Sequence, residues 1–366
     1  MRGSAPGRLD LLGGVADYSG ALVLEMPTRQ GTEVIVYPDK AFVVGPAAFS
    51  TARLEQLAGL PYAEVRQQLA ALPRWTHYVI GVAIVLIRHG AIDPPRGRLE
   101  IASDLPASVG AASSAALEVA TARALGAGTI DPLLVASLCQ EAENHVVGAP
   151  CGIMDQVAVA LGTPGAVLPI LCRPASVADA VVLPQALEIV GWPTGAAHDG
   201  GGAPYGRARA GAFMGKRMVE DAAGRTWPWV SKLPGAAVDE LPDTLDGQSF
   251  LRRWAATDDD VTVVRPDATY PVRAATSFAV EEHGRAVAAL EALVDNDPAC
   301  LGPLLAASQR GYDAMGLGHG AATATVEEAL TRPGVFGARS SGGGCGGTVV
   351  VVCERGALDD VDGLIR

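Results

Sequence analysis

Five of the six residues from Gly342 to Gly347 are glycine, in the run Ser341-Gly342-Gly343-Gly344-Cys345-Gly346-Gly347-Thr348. Glycine costs backbone entropy and offers no side chain to pack, so such a run is not selected for a core. It is required where the chain must come very close to a ligand or to another stretch of backbone. The plainer alternative is a hinge or a tight hairpin. Residues 348–353 that follow, apolar from Val349 on, read as a strand.

Two other segments of small residues lie far away in the sequence. The first is Pro6-Gly7-Arg8-Leu9-Asp10-Leu11-Leu12-Gly13-Gly14-Val15-Ala16-Asp17-Tyr18-Ser19-Gly20. Its glycines allow a tight path around something small, and one Arg and two Asp project from that path. An arginine can hold a phosphate or an anionic oxygen, and a carboxylate can accept two sugar hydroxyls at once. Alone, the segment is equally a polar turn between strands. The second is Asp104-Leu105-Pro106-Ala107-Ser108-Val109-Gly110-Ala111-Ala112-Ser113-Ser114-Ala115-Ala116-Leu117. Small residues here lead into a helix, so backbone N–H groups and the positive helix end can face a phosphate. Ser113 or Ser114 can offer a hydroxyl to Mg²⁺. No Gly-Lys-Ser/Thr follows, which excludes a Walker A loop. The alternative is an ordinary helix start capped by serine. Downstream, in Glu143-Asn144-His145-Val146-Val147-Gly148-Ala149-Pro150-Cys151-Gly152-Ile153-Met154-Asp155-Gln156, an aspartate opens an apolar helix. A carboxylate in such a place has a partner or a task.

The chain has 366 residues, 49% of them hydrophobic, which suffices for two domains each with a core. We place their boundary between residues 185 and 186. The net charge of −12 argues against a groove for nucleic acid. None of the six cysteines forms a CxxC pair, so zinc sites and a disulfide framework are not expected, and free thiols in a reducing cytoplasm are. Residues 1–4 run straight into a Gly-Pro turn without an apolar leader, and the apolar run 78–87 is too short to span a bilayer. A cytoplasmic protein with no membrane partner is the expectation. The sequence does not give the oligomeric state.

Strands are predicted at 21–24, 33–37, 98–102 and 183–191, and helices at 75–88, 115–125, 131–146, 280–294, 298–315 and 322–330. Asp131 followed by Pro132 marks a helix start. Residues 226–274 have weak periodicity and read as a loop-rich insertion or a set of short helices.

The order and spacing of these segments resemble the GHMP superfamily of small-molecule kinases. Cys151-Gly152-Ile153-Met154-Asp155-Gln156 and Arg74-Trp75-Thr76-His77-Tyr78-Val79 are similar to strings of galactokinases. Residues 14–20, 143–151, 211–215 and 258–264 resemble the kinase part of L-arabinokinases. The resemblance implies an α+β protein. Its N-terminal, ATP-binding domain would be like the second domain of ribosomal protein S5, its C-terminal domain would be ferredoxin-like, and the active site would lie in the cleft. By position it implies Asp155 as the catalytic aspartate and Arg8 as the arginine near the reacting hydroxyl. Ser114 and Glu143 match Mg²⁺ ligands. Gly110, Ala111, Ala112, Ser113 and Ser114 match the phosphate loop for ATP, and Trp75 stands where the family holds adenine. Asp17 and Tyr205 match sugar-binding positions, and Gly343 and Gly344 fall on the substrate side of the third motif. Gly14 and Val15 replace the Glu-His pair of galactokinases. Ala111-Ala112 stand where Leu-Ser is usual, and residues 191–195 replace an Asp-Ser-Gly pattern. Met1 falls almost on the first motif, leaving little room for a first strand, and the chain stops soon after the third motif, without the family's closing helix and strand in full.

The activity implied is phosphorylation of a monosaccharide at its anomeric hydroxyl by ATP and Mg²⁺, with L-arabinose going to L-arabinose 1-phosphate. A galactokinase, another sugar-1-kinase or cyclitol kinase, and a non-catalytic sugar- and ATP-binding sensor remain open alternatives. Retention of Arg8, Glu143 and Asp155 together speaks against the sensor.

Overall fold

The computed structural model describes residues 1–106, 109–196 and 203–366. In it the chain divides into two compact units. One comprises Met1–Arg8, Pro27–Ala107 and Ala112–Pro164, and the other Leu9–Met26, Ser108–Ala111 and Gly165–Arg366. The chain passes from one to the other inside each of its first two strands, Arg2–Leu12 and Leu22–Tyr37. The first of these corrects the expectation that little room is left for a strand. The first half of the motif lies in the strand, which runs from Arg2 to Leu12, and Gly14–Ser19 follows it as a short 3₁₀ helix.

In the first unit, the end of Leu22–Tyr37 pairs antiparallel with Gly97–Ser103, with Thr32 opposite Ser103 and Tyr37 opposite Arg98. Gly97–Ser103 pairs parallel with Phe42–Val44, which turns back on Ala47–Phe49. The predicted apolar helix is Arg74–Arg88, with Val79 to Leu86 all buried. Ser113–Ala124 is buried on nearly every face because most of its residues are small and apolar, as a central helix requires. It lies so close to the first strand that a Cβ on Gly3 would stand 2.2 Å from the Ala120 carbonyl oxygen. Pro132–Glu141 begins as the sequence indicates: Asp131 Oδ1 accepts from the N–H of Leu133 at 2.7 Å. It then widens into a π-helical stretch, Ala142–Val147, ended by Gly148 at φ 74°. Helix Met154–Leu161 follows. The short helices Thr51–Gly59 and Tyr62–Leu69 also belong here.

In the second unit, Val335–Ser340, Thr348–Glu354 and Leu187–Pro193 form an antiparallel sheet with Thr348–Glu354 in the middle. The central strand reads Val349 to Cys353 without a polar residue, as a strand buried on both faces should. Helices Ala203–Ala223, Val272–Val294, Leu301–Ala314 and Gly320–Leu330 accompany it. Val272–Val294 starts eight residues before its predicted start, directly after Pro271, which stands at its cap. Ala203–Ala223 was not predicted. Its glycines lower helix propensity by about 1 kcal/mol each, but they let helices approach: a Cβ on Gly215 would stand 2.0 Å from Thr276 Oγ1. Residues 226–274 contain the helices Gly235–Asp239 and Gly247–Trp254 and the short strand pair Leu245–Asp246 with Thr269–Tyr270, so the reading as short helices holds. The core gathers Val15, Tyr18, Phe213, Met214, Phe278 and Tyr312. No described helix is long and apolar enough to cross a membrane.

Candidate active site

Seven of the candidate residues belong to the first unit: Arg8, Trp75, Ala112, Ser113, Ser114, Glu143 and Asp155. Arg8 sits on strand Arg2–Leu12 and Asp155 in the first turn of Met154–Leu161. Arg8 Nε and Nη2 both donate to Asp155 Oδ1, at 2.9 and 2.6 Å. The guanidinium is buried, while 23% of the aspartate side chain stays exposed. A carboxylate at a helix N-terminus also gains from the helix dipole. The pair therefore presents an anion, held by a charge-assisted bond, to anything that reaches its open side.

Glu143 lies on the π-helical stretch, a backbone form that recurs at functional sites. The Ser114 hydroxyl bonds to its carboxylate. Gln156 Nε2 donates to Glu143 Oε2 at 2.6 Å, and the Cys151 thiol approaches the same oxygen at 3.6 Å. Asn144 pins the connecting loop by accepting from the N–H of Cys151 at 2.8 Å and donating to its carbonyl at 3.2 Å. Burial first, and then the charge of Asp155, push the Glu143 carboxyl up to about 7, against the hydrogen bonds that favour its charged form. Burial, followed by the charge of Glu143, also holds the fully buried Glu118 carboxyl well above the usual carboxylate range.

These residues fit an Mg²⁺ ion. Glu143 supplies an oxygen donor whose negative charge is undercompensated by the protein, and the Ser114 hydroxyl adjoins it. Among the described residues no three His, Cys, Asp or Glu side chains converge into a metal cage. A sparse oxygen donor set beside a phosphate-bearing substrate is the usual Mg²⁺ arrangement.

Ser113 and Ser114 open helix Ser113–Ala124 from inside it, so the reading as a serine cap does not hold. The cap position is Ala112, at φ 56°, with no side chain to bond the first N–H groups. A non-glycine residue in the left-handed region is strained. Trp75 is 43% exposed. The turn at Gly45 lies against its ring, where a Cβ would stand 2.7 Å from Cζ2.

Gly14, Val15, Asp17, Gly110, Ala111, Tyr205, Gly343 and Gly344 belong to the second unit. There Asp10 joins the first and third motifs. Its carboxylate accepts from the N–H of Gly14 at 3.1 Å, from the N–H of Gly342 at 3.0 Å and from Arg339 Nη1 at 3.1 Å. Tyr312 Oη donates to the Gly342 carbonyl at 2.6 Å and accepts from the N–H of Val15 at 3.1 Å. Gly14 has φ 45°, and Val15 is in the core. Gly344 is packed too tightly for a side chain, since a Cβ would meet the Leu317 carbonyl oxygen at 2.8 Å; Gly343 beside it is half-buried. Thr348 Oγ1 donates to the Val109 carbonyl at 2.6 Å, tying the residues before Gly110 and Ala111 to the strand after the third motif. Ala107 and Ser108 lie outside the described residues.

Asp17 and Tyr205 are both buried. Tyr18, between them in its contacts, meets the Tyr205 ring edge-on at 6.2 Å. Arg209 grips Asp259 through Nε to Oδ2 at 2.9 Å and Nη2 to Oδ1 at 2.6 Å, with both side chains fully buried. The segment 258–264 is thereby anchored to helix Ala203–Ala223, with Lys216 holding Asp258. Sequence reasoning missed Arg339, Tyr312, Arg209 and Glu118. None stands out locally, and each acquires its partners only on folding.

Residues 77–163 match the family model of the GHMP kinases N terminal domain, and residues 289–361 that of the GHMP kinases C terminal domain. The chain is 32% identical to a galactokinase of Chloroflexus aurantiacus over 99% of its own length and 85% of that protein's. The chain belongs to the GHMP kinase family. This GHMP kinase is a sugar kinase of the galactokinase- and arabinokinase-like kind, and ATP is the phosphoryl donor of its family. It is also 31% identical to the L-arabinokinase of Arabidopsis thaliana over 95% of its length, and spans 42% of that longer protein. Its α+β fold matches the crystal structure of Lactococcus lactis galactokinase complexed with galactose. The TM-score is 0.76 over 98% of this chain and 86% of that one, at 22% identity.

Proposed function

We propose that this GHMP kinase moves the γ-phosphoryl group of ATP to the anomeric hydroxyl of a monosaccharide, and that L-arabinose is its preferred substrate. The observation that carries this reading is the buried Arg8 guanidinium fixed on a partly open Asp155 carboxylate. Asp155 accepts the proton of the sugar hydroxyl or orients it, and Arg8 stabilises the anionic oxygen that attacks. Phosphoryl transfer is mostly positioning and neutralisation of charge. Ser114 and Glu143 would hold Mg²⁺, which when bound neutralises charge on the phosphates. The uncapped helix start at Ala112 to Ser114, with Gly110 and Ala111 before it, offers backbone N–H groups to phosphate oxygens. The exposed Trp75 ring suits an adenine face.

L-Arabinose shares the hydroxyl configuration of galactose at C2 to C4 and lacks the C6 hydroxymethyl group. Gly14 and Val15 carry no polar group for that end of a hexose, and the contact of Gly14 with Tyr312 leaves no room for one. Asp17 and Tyr205 remain to read the shared hydroxyls, with Gly343 and Gly344 on the same side of the substrate. A galactokinase is the second reading, favoured by the galactokinase names of relatives matched over most of their length. A panel of aldoses assayed for ADP release, with the anomeric phosphate identified by NMR, separates the two. Higher kcat/KM for D-galactose than for L-arabinose would replace the first reading by the second.

A further inference from the structure

We propose that Gln156 and Glu118 are positioning residues that fix the Glu143 carboxylate for the metal–nucleotide complex. The inference rests on the reading of Glu143 as a metal ligand. Gln156 is fully buried, and its one amide nitrogen donates to two carboxylates: Glu143 Oε2 at 2.6 Å and Glu118 Oε2 at 3.1 Å. These three side chains come from three elements. Glu118 lies on helix Ser113–Ala124, whose start bears Ser114. Glu143 lies on the π-helical stretch, and Gln156 directly follows Asp155 on helix Met154–Leu161. A single carboxamide thus links the elements that carry the proposed phosphate-binding, metal-binding and catalytic groups.

The residue types suit this task. Two buried carboxylates this close repel when charged, and a bridge between them needs two donors on one atom. A glutamine NH₂ group has two, whereas a glutamate has none and a leucine leaves both acids without a donor. The carboxamide turns its nitrogen end to Glu118 and Glu143 alike, so Glu118 is one of the two acceptors that orient it. The second carboxylate oxygen of Glu118 and the oxygen of the Gln156 amide, both buried, bond no donor among the described residues. An acid is an expensive way to fill a helix core, and packing alone would be served by an apolar side chain. Its use here is explained if it orients Gln156, and through Gln156 a glutamate rotamer that must be set before the metal–nucleotide complex arrives. Side chains that support a metal ligand in this way commonly affect affinity by 10- to 100-fold.

The test is binding of Mn²⁺–ADP to the full chain, followed by electron paramagnetic resonance of Mn²⁺, alongside ADP binding without metal and thermal unfolding. Glu118→Leu and the near-isosteric Gln156→Met should each weaken Mn²⁺–ADP binding at least tenfold, with metal-free ADP affinity changed less than twofold. Glu118→Gln keeps an acceptor for Gln156 and should lose at most threefold. A lower melting temperature with unchanged Mn²⁺–ADP binding in both Glu118→Leu and Gln156→Met would leave only a structural role and overturn the proposal. Should Glu118→Leu not fold, Gln156→Met and Glu118→Gln decide by the same criteria. Glu143→Gln is the control. If it too binds Mn²⁺–ADP normally, the metal reading of Glu143 falls and this inference with it. If it binds weakly while the other variants do not, only this inference falls.

Discussion

Replacing Gly14 with alanine places a methyl group among three polar atoms. The new Cβ would lie 1.9 Å from Tyr312 Oη, 2.8 Å from Asp10 Oδ2 and 3.0 Å from Arg339 Nη2, at a residue with φ 45°. An L-residue in the left-handed region costs about 1 kcal/mol relative to glycine. A carbon–oxygen contact of 1.9 Å cannot persist, so the Tyr312 phenol must move by more than an ångström. That breaks its bonds to the Gly342 carbonyl and the Val15 N–H, each worth about 1 kcal/mol net and more where a buried group is left without a partner. Together the substitution should destabilise the second unit by about 3–4 kcal/mol, and lower its melting temperature by roughly 6–16 °C. Differential scanning calorimetry measures this directly. Tyr312→Phe removes the oxygen that the methyl group strikes. In that background Gly14→Ala should cost clearly less, about 1–2 kcal/mol, from the backbone contribution and the remaining close contact with Asp10 Oδ2. An equal cost in both backgrounds, or a cost below about 1 kcal/mol in the native one, would refute the argument. The same geometry explains why a glutamate at position 14 would not simply turn a pentose pocket into a hexose pocket.

Asp155→Asn and Arg8→Ala should each lower kcat about a hundredfold or more while ATP binding persists, by steady-state kinetics and calorimetric titration; near-normal turnover of Asp155→Asn would remove its assigned role. The folded protein holds the Glu143 proton up to about 7, whereas the unfolded chain releases it near 4.5, so ionisation costs metal-free protein stability progressively between those pH values. At about 1.4 kcal/mol per pH unit the cost is on the order of a few kcal/mol. Glu143→Gln should therefore gain stability over the native chain as pH rises from 4.5 to 7 in urea unfolding, and parallel pH profiles would contradict this. Arg209→Ala leaves Asp259 buried without its bidentate partner and should destabilise by about 3–5 kcal/mol in the same assay, against less than 1 kcal/mol if the pair is dispensable.

The sequence was most legible where a local pattern meets a local cause. The apolar run ahead of Arg88 makes a buried helix, and Asp131-Pro132 starts another because a carboxylate can bond the first N–H groups and proline needs none. Arg8, Ser114, Glu143 and Asp155 were legible through strings that resemble a known family, and the fold brings each pair, Arg8 with Asp155 and Ser114 with Glu143, within one unit. Asp10 and Arg339 were not legible as partners, because they lie 329 positions apart and Arg339 falls outside the motifs. Helix Ala203–Ala223 was hidden by glycines chosen for close approach to Val272–Val294 rather than for helix propensity. Glu118 was hidden in a run of small helix residues, where a single acid reads as surface until the helix proves central.

The central claim is transfer of phosphate to the anomeric oxygen of a sugar at the Arg8–Asp155 pair. The most direct measurement is ³¹P and ¹H NMR of the native chain with ATP, Mg²⁺ and either L-arabinose or D-galactose, repeated with Asp155→Asn. The account predicts an anomeric phosphate of L-arabinose, formed with higher kcat/KM than that of D-galactose by roughly 10- to 100-fold, the worth of one hydrogen-bonded contact. It also predicts that the product is nearly absent with Asp155→Asn. Phosphate on another hydroxyl, or undiminished product from Asp155→Asn, would contradict the account.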